Sequence, residues 1–185
     1  MTSRIGTLLI SHPNLTSADW FYRSVIYIYA DSEKDGTLGI CFNKDSDFTL
    51  QQLCTDKGII YPESYTRINQ GGPVSQSSVI MFHTHEWFSS NTIEAGPGYC
   101  LSSDLMMFEK LALGDQPAYW KIFSGLCAWG PGQLDKELQG QFPYKPTNSW
   151  LTATASDSIL FEYEGEEQWE KAVELSSQQM IDSYF

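Results

Sequence analysis

His83-Thr84-His85-Glu86 is the stretch of this chain that most invites a chemical reading. On an extended strand, residues 83 and 85 project to one face, so two imidazoles could reach one metal ion. Glu86 would face the other way, and only three histidines exist in the chain, which leaves such a site short of ligands. The simpler expectation is a satisfied His83 and an exposed His85, with no metal centre. The four cysteines, Cys41, Cys54, Cys100 and Cys127, form no CxxC pair and match no zinc spacing. A nucleophilic thiolate needs a base and an electropositive pocket. Cys127 lies in an apolar run of an acidic chain, so burial as a small hydrophobe is the better reading. Ser102 and Asp104 read as helix-start residues and not as parts of a triad. The Walker phosphate loop is missing, and the Gly-x-Gly spacings lack a Rossmann context. No catalytic residue and no cofactor is assigned.

One group of residues remains as a ligand site. Asn43 falls at a strand end, where loops carry function. Gly71 and Gly72 allow positive φ and close backbone approach, and their N–H groups could hold an anion. His83 ends the apolar strand that follows. Asn43, Gly71, Gly72 and His83 are therefore the candidate ligand-binding residues, in one shared cleft. The competing reading is that Asn43 bonds turn backbone and the glycines only make a turn. Trp129, Gln133 and Trp150 read as architecture, a tryptophan at a strand end plugging a barrel mouth with its N–H bonded. A partly exposed tryptophan, such as Trp87 or Trp129, would instead anchor a protein partner.

The elements that must position these residues follow from periodicity. Ile5–Ile10, Ser24–Ala30 and Thr37–Asn43 read as strands, with a hairpin signal at Asp35-Gly36. Leu50, Leu53 and Cys54 mark a short helix capped by Thr49 and stopped at Gly58. Ser78–His83 is another strand, and residues 84–98 read as an irregular loop. A helix capped by Ser102 or Ser103 carries Leu105, Phe108, Leu111 and Ala112 on one face. Trp120–Ala128 is a strand, followed by the corner Trp129-Gly130-Pro131-Gly132 and a helix from Gln133 to Leu138. Asn148–Thr152 leads to an expected last strand, Ser158–Tyr163. A tail helix from Glu166 places Trp169, Ala172, Val173 and Met180 on one stripe. Strands at hairpin spacing with helices interspersed later indicate an α+β fold.

Composition narrows the function. The 185 residues suit one domain with a proper core. A net charge of −12, with scattered Lys and Arg, opposes phosphate-backbone binding, so nucleic acid is not the expected partner. No apolar run reaches membrane-span length. Unpaired cysteines and the absence of an apolar leader suggest a cytoplasmic protein with reduced thiols.

Four stretches then carry a family likeness: Gly6–Pro13 with Phe21–Tyr27; Gly36–Lys44 with Gly71-Gly72-Pro73-Val74 and the strand ending at His83; Gly125–Leu138; and Asn148–Thr152 with Ile159-Leu160-Phe161 and Trp169–Ala172. In this order, over nearly the whole chain, they resemble the AlgH/YqgE family. The resemblance implies a single α+β domain spanning 1–185, with a strongly bent, partly open, barrel-like mixed β-sheet and flanking helices. It also implies a regulatory protein with no accepted enzymatic mechanism. Relatives often carry Ser-Arg-Asp before the middle helix, whereas Ser102-Ser103-Asp104 lacks that arginine and any anion it would bind. The leading expectation is a non-enzymatic binding or regulatory protein acting through protein partners. The alternative is a small-molecule-binding or hydrolytic enzyme using the Asn43, Gly71-Gly72 and His83 region.

Overall fold

The computed structural model describes residues 3–62, 65–144 and 150–185. The β-branched and aromatic runs form an antiparallel meander of β1 (Thr7–Ile10), β2 (Val25–Ser32) and β3 (Gly36–Cys41). β4 (Asp45–Thr49) runs into α1 (Leu50–Asp56), whose Thr49 and Gln52 form a reciprocal capping box. Next come β5 (Arg67–Gln70), β6 (Val74–Thr84), β7 (Ile93–Glu94), β8 (Tyr99–Ser102) and α2 (Leu105–Ala112). The chain ends with β9 (Trp120–Trp129), α3 (Gln133–Leu138), β10 (Leu151–Thr154) and α4 (Gly165–Asp182). The strand order is β10-β1-β2-β3-β9-β6-β8-β7, with β5 joined in parallel to β9 and β4 antiparallel to β5. The sheet is therefore mixed.

Curling of the sheet follows from its aromatic contacts. Three strands separate β2 from β8 in the sheet order, yet the rings of Tyr27 and Tyr99 lie 5.8 Å apart. Phe82 sits between them, 4.9 Å from each ring. These side chains, with Leu8, Phe42, Phe123 and Ala153, make one inner core. Each fully buried aromatic of this kind contributes about 1.5–3 kcal/mol. Trp169 and Ala172 of α4 close that core. The outer face carries two smaller cores, one under α1 and α2 and one against Leu134 of α3. β9 serves both faces: Phe123 and Leu126 pack in the inner core, and Ile122 and Cys127 pack outside. The change of parity between 123 and 126 falls at Gly125, whose φ of +74° belongs to a bulge where the β6 register also shifts.

Three expectations are corrected. Residues 158–162 form a π-helical turn and not a last strand, because Ile159 and Leu160, adjacent in sequence, both enter the inner core. The last strand is β10, which begins at Leu151; Asn148 and Ser149 lie outside the described residues. The cap of α2 is Asp104, which accepts from Met107 N at 2.9 Å, and Ser102 belongs to β8. The α4 stripe buries Trp169, Ala172 and Ser176 but leaves Met180 exposed. Ser176 and Gln179 instead bond Thr152 O and Thr154 N, covering the edge of β10. Among the described residues no helix is long and apolar enough to cross a membrane.

Candidate functional site

The four residues expected to share a cleft fall into two places. Asn43 Oδ1 accepts from Val25 N at 2.9 Å, and Nδ2 donates to Arg23 O at 2.7 Å and Gly165 O at 2.9 Å. The amide thus ties β2 to the start of α4. Gly71 donates its N–H to Ser124 O at 2.7 Å, and its carbonyl accepts from Cys41 N at 2.8 Å. Gly71 and Gly72 do not have positive φ; what they need is space. A Cβ on Gly72 would stand 2.0 Å from the Leu126 carbonyl carbon, and one on Gly71 would stand 2.4 Å from Gly125 O. Both glycines wedge against β9, where β3 and β9 cease to pair. Asn43 and Gly71 do meet, around Cys41, in packed interior.

His83 stands apart. It is fully buried, with its ring edge-on to Trp87 at 5.1 Å. Nδ1 lies 2.9 Å from Thr84 O, which can only accept, so Nδ1 carries the proton. Nε2 then accepts from Ser102 Oγ at 2.9 Å. Burial holds the His83 pKa below its ordinary value, and so the ring stays neutral. A serine hydroxyl on an imidazole is the geometry of a nucleophile and its base. Here Ser102 is 1% exposed and also bonded to Thr92 Oγ1 at 2.7 Å, so the pair is an internal cross-link. The loop 84–98 is fastened around it: Trp87 donates to Asp115 at 2.9 Å, and Ser89 and Asn91 both bond Asp104. Trp87 and Trp129 are 5% and 4% exposed, so neither is available as an anchor for a partner.

All four cysteines are buried and unpaired. Burial pushes the Cys41 thiol up to about 11 and Cys127 well above its ordinary value, the latter with Cys41 nearby. Among the described residues no group of His, Cys, Asp and Glu could hold a metal ion.

Trp129, Gln133 and Trp150 converge on one carboxylate that sequence reasoning passed over. Glu137 Oε2 accepts from Trp129 Nε1 at 3.0 Å and Trp150 Nε1 at 2.9 Å, and Oε1 accepts from Gln133 Nε2 at 2.9 Å. Phe21 packs against both indoles. The Gly/Pro corner thus presents a helix whose glutamate binds the strand it follows.

A cleft of about 580 Å³ opens elsewhere, lined by residues of β5 and β9. The two strands pair at Asn69–Phe123 and Gln70–Ser124. The pairing extends no further toward Arg67 and Lys121, and both of these residues line the cleft. Asp45, Tyr65 and Arg67 form one wall, Tyr119 and Lys121 the other, and Phe161 and Glu164 close the end. None of Asn43, Gly71, Gly72 and His83 lines it. The rings of Tyr119 and Phe161 lie 5.4 Å apart in a tilted arrangement, and Arg67 pairs with Asp45 at 4.0 Å in an exposed position. Lys121 is only half-buried, and desolvation lowers its pKa against the opposing pull of Glu164 and Asp45. The signal for it was present in the sequence: Lys121 is the one charged residue in the apolar run from Tyr119 to Phe123.

A curled, mixed α+β sheet with packed motifs and a polar cleft thus defines the class of structure. The chain belongs to the AlgH-like family (DUF179), whose profile matches residues 8–181. It is 30% identical to a UPF0301 protein of Gluconobacter oxydans over 91% of this chain and 88% of that protein. A UPF0301 protein of Xanthomonas campestris is 32% identical, over 92% of this chain and 88% of that one. The solution structure of the AlgH protein from Pseudomonas aeruginosa is similar with a TM-score of 0.76 at 26% identity, covering 95% of this chain and 91% of that chain.

Proposed function

We propose that this AlgH-like protein is a non-enzymatic binding protein that acts through a protein partner, engaged at the cleft between β5 and β9. The observation that supports this most is the position of the cleft: it opens where the pairing of β5 with β9 stops, lined by Arg67 of one strand and Lys121 of the other. An extended segment can lie in such a cleft beside strand ends whose pairing has stopped. Tyr119 and Phe161 offer the aromatic contact area typical of partner-binding surfaces. The four thiols and the Ser102–His83 pair are sealed inside. Four unpaired cysteines favour a reducing compartment, and a regulatory role in the cytoplasm fits that setting.

The reading is tested by a photo-reactive amino acid in place of Tyr119, used in cells that make the protein. The expected result is one cross-linked protein that, once identified and purified, binds the wild-type chain and binds Phe161→Ala at least about tenfold more weakly. A purified partner that binds wild type and Phe161→Ala alike, or cross-links equally from position 34 on the far β2–β3 turn, would contradict it.

A further inference from the structure

Lys121 differs from the other cations held against the fold. Lys44, Lys57 and Lys110 each lie over an aromatic ring, at 5.1, 5.1 and 4.5 Å. Arg4 and Arg23 are ion-paired to carboxylates. Lys121 is half-buried in the wall of the cleft and, among the described residues, its ammonium makes no hydrogen bond and no ion pair. Its backbone is held because β9 is paired there with β6, Lys121 opposite the fully buried Phe82. Glu164 and Asp45 are near enough to act on it through space without bonding it. The lining thus carries both signs, Lys121 and Arg67 together with Asp45 and Glu164.

That arrangement discriminates among ligands. A purely acidic segment would be repelled by Asp45, Glu164 and the −12 charge of the chain, and a phosphate dianion more so. A purely basic one would leave Lys121 desolvated and unpaired, which is costly. Resting on the reading of the cleft as a partner site, we infer that its occupant is an extended peptide of mixed sign, with a carboxylate docked on Lys121 and a basic group against Asp45 and Glu164. The aromatic pair Tyr119–Phe161 borders an apolar side chain of the same segment. Desolvation already disfavours the charged lysine, so a carboxylate that neutralises it gains more than it would at an exposed lysine.

The test is selection of a random 12-residue peptide library, displayed on messenger RNA, against the purified wild-type chain. Winners should share an acidic and a basic residue at fixed spacing. Their affinity should fall at least about tenfold for Lys121→Met and be largely retained for Lys121→Arg, both variants unfolding at the wild-type temperature. Exchanging the acidic residue for its amide should cost wild type the same factor and cost Lys121→Met nothing further. Resynthesis with free and amidated C termini separates a side-chain carboxylate from a terminal one. Winners weakened by Phe161→Ala but indifferent to Lys121→Met overturn this inference and leave the partner cleft standing. No enrichment, or winners indifferent to both changes, overturns this inference and the cleft reading together.

Discussion

Trp129 and Trp150 meet edge to face, 6.1 Å between ring centroids, and both indole N–H groups donate to the same oxygen of Glu137. The end of β9 and the approach to β10 are thereby joined through one side chain of α3. An indole N–H left buried without a partner costs stability, so the glutamate stabilises the corner chiefly by what its loss would leave exposed to no acceptor.

Glu137→Ala should therefore lower the unfolding free energy by about 2–4 kcal/mol. Glu137→Gln, which keeps acceptors for at least part of the cluster, should cost less. Urea titrations followed by tryptophan fluorescence measure both. A loss below about 0.5 kcal/mol for the alanine variant, the usual size for an unremarkable surface change, would show that the shared acceptor is not structural.

Gly72→Ala is expected to be far worse than a substitution at a glycine with open space. Its new Cβ would meet the Leu126 backbone at 2.0 Å, and backbone held by β3, β6 and β9 cannot retreat. The expected cost exceeds about 3 kcal/mol, or folding fails. Gly98, at φ +82° with nothing within 4 Å of a Cβ, should lose only about 1–2 kcal/mol on the same change. Thermal unfolding of the two variants separates steric from conformational cost, and equal losses would contradict the wedge.

His83 makes stability depend on pH. Its pKa in the fold lies below the ordinary 6.5 because burial disfavours the imidazolium. As pH falls through about 6.5 the unfolded chain takes up a proton that the folded chain does not, so stability present above that pH is progressively lost below it. Wild type should lose more stability than His83→Gln between pH 7 and pH 5.5. Parallel slopes in urea titrations would mean that the buried ring is not the titrating group.

The thiols give a direct check on burial. Cys41, Cys54, Cys100 and Cys127 are all buried, with pKa values raised by desolvation. An aromatic disulfide reagent at neutral pH should modify less than one of the four in the native protein and all four in denaturant. Rapid native labelling of Cys127 would reopen a reactive-thiol reading.

Sequence reasoning reached the parts of this molecule that local pattern controls. The runs Val25–Tyr29 and Ile122–Cys127 could be nothing but strands, and Thr49 could be placed as a cap because its hydroxyl sits before Leu50, Leu53 and Cys54. It failed where three-dimensional context decides. Ile159-Leu160-Phe161 is a short apolar run, and such runs do not declare strand or helical turn by periodicity. Gly71 and Gly72 announced close approach, but not that the approaching group would be β9 and not a ligand. Lys121 became a candidate only through its long-range setting, with Asp45 brought in by the β4–β5 pair and Glu164 by the turn before α4.

The account rests on the cleft between β5 and β9 being where a protein partner sits, and mass-spectrometric acetylation of lysines measures that directly. The purified chain is treated with a limiting acetylating reagent, alone and with saturating amounts of the partner identified through position 119. The expected result is at least about tenfold slower labelling of Lys121 in the complex, with Lys34 on the β2–β3 turn unchanged. Equal labelling of Lys121 with and without the bound partner would contradict the assignment of the cleft.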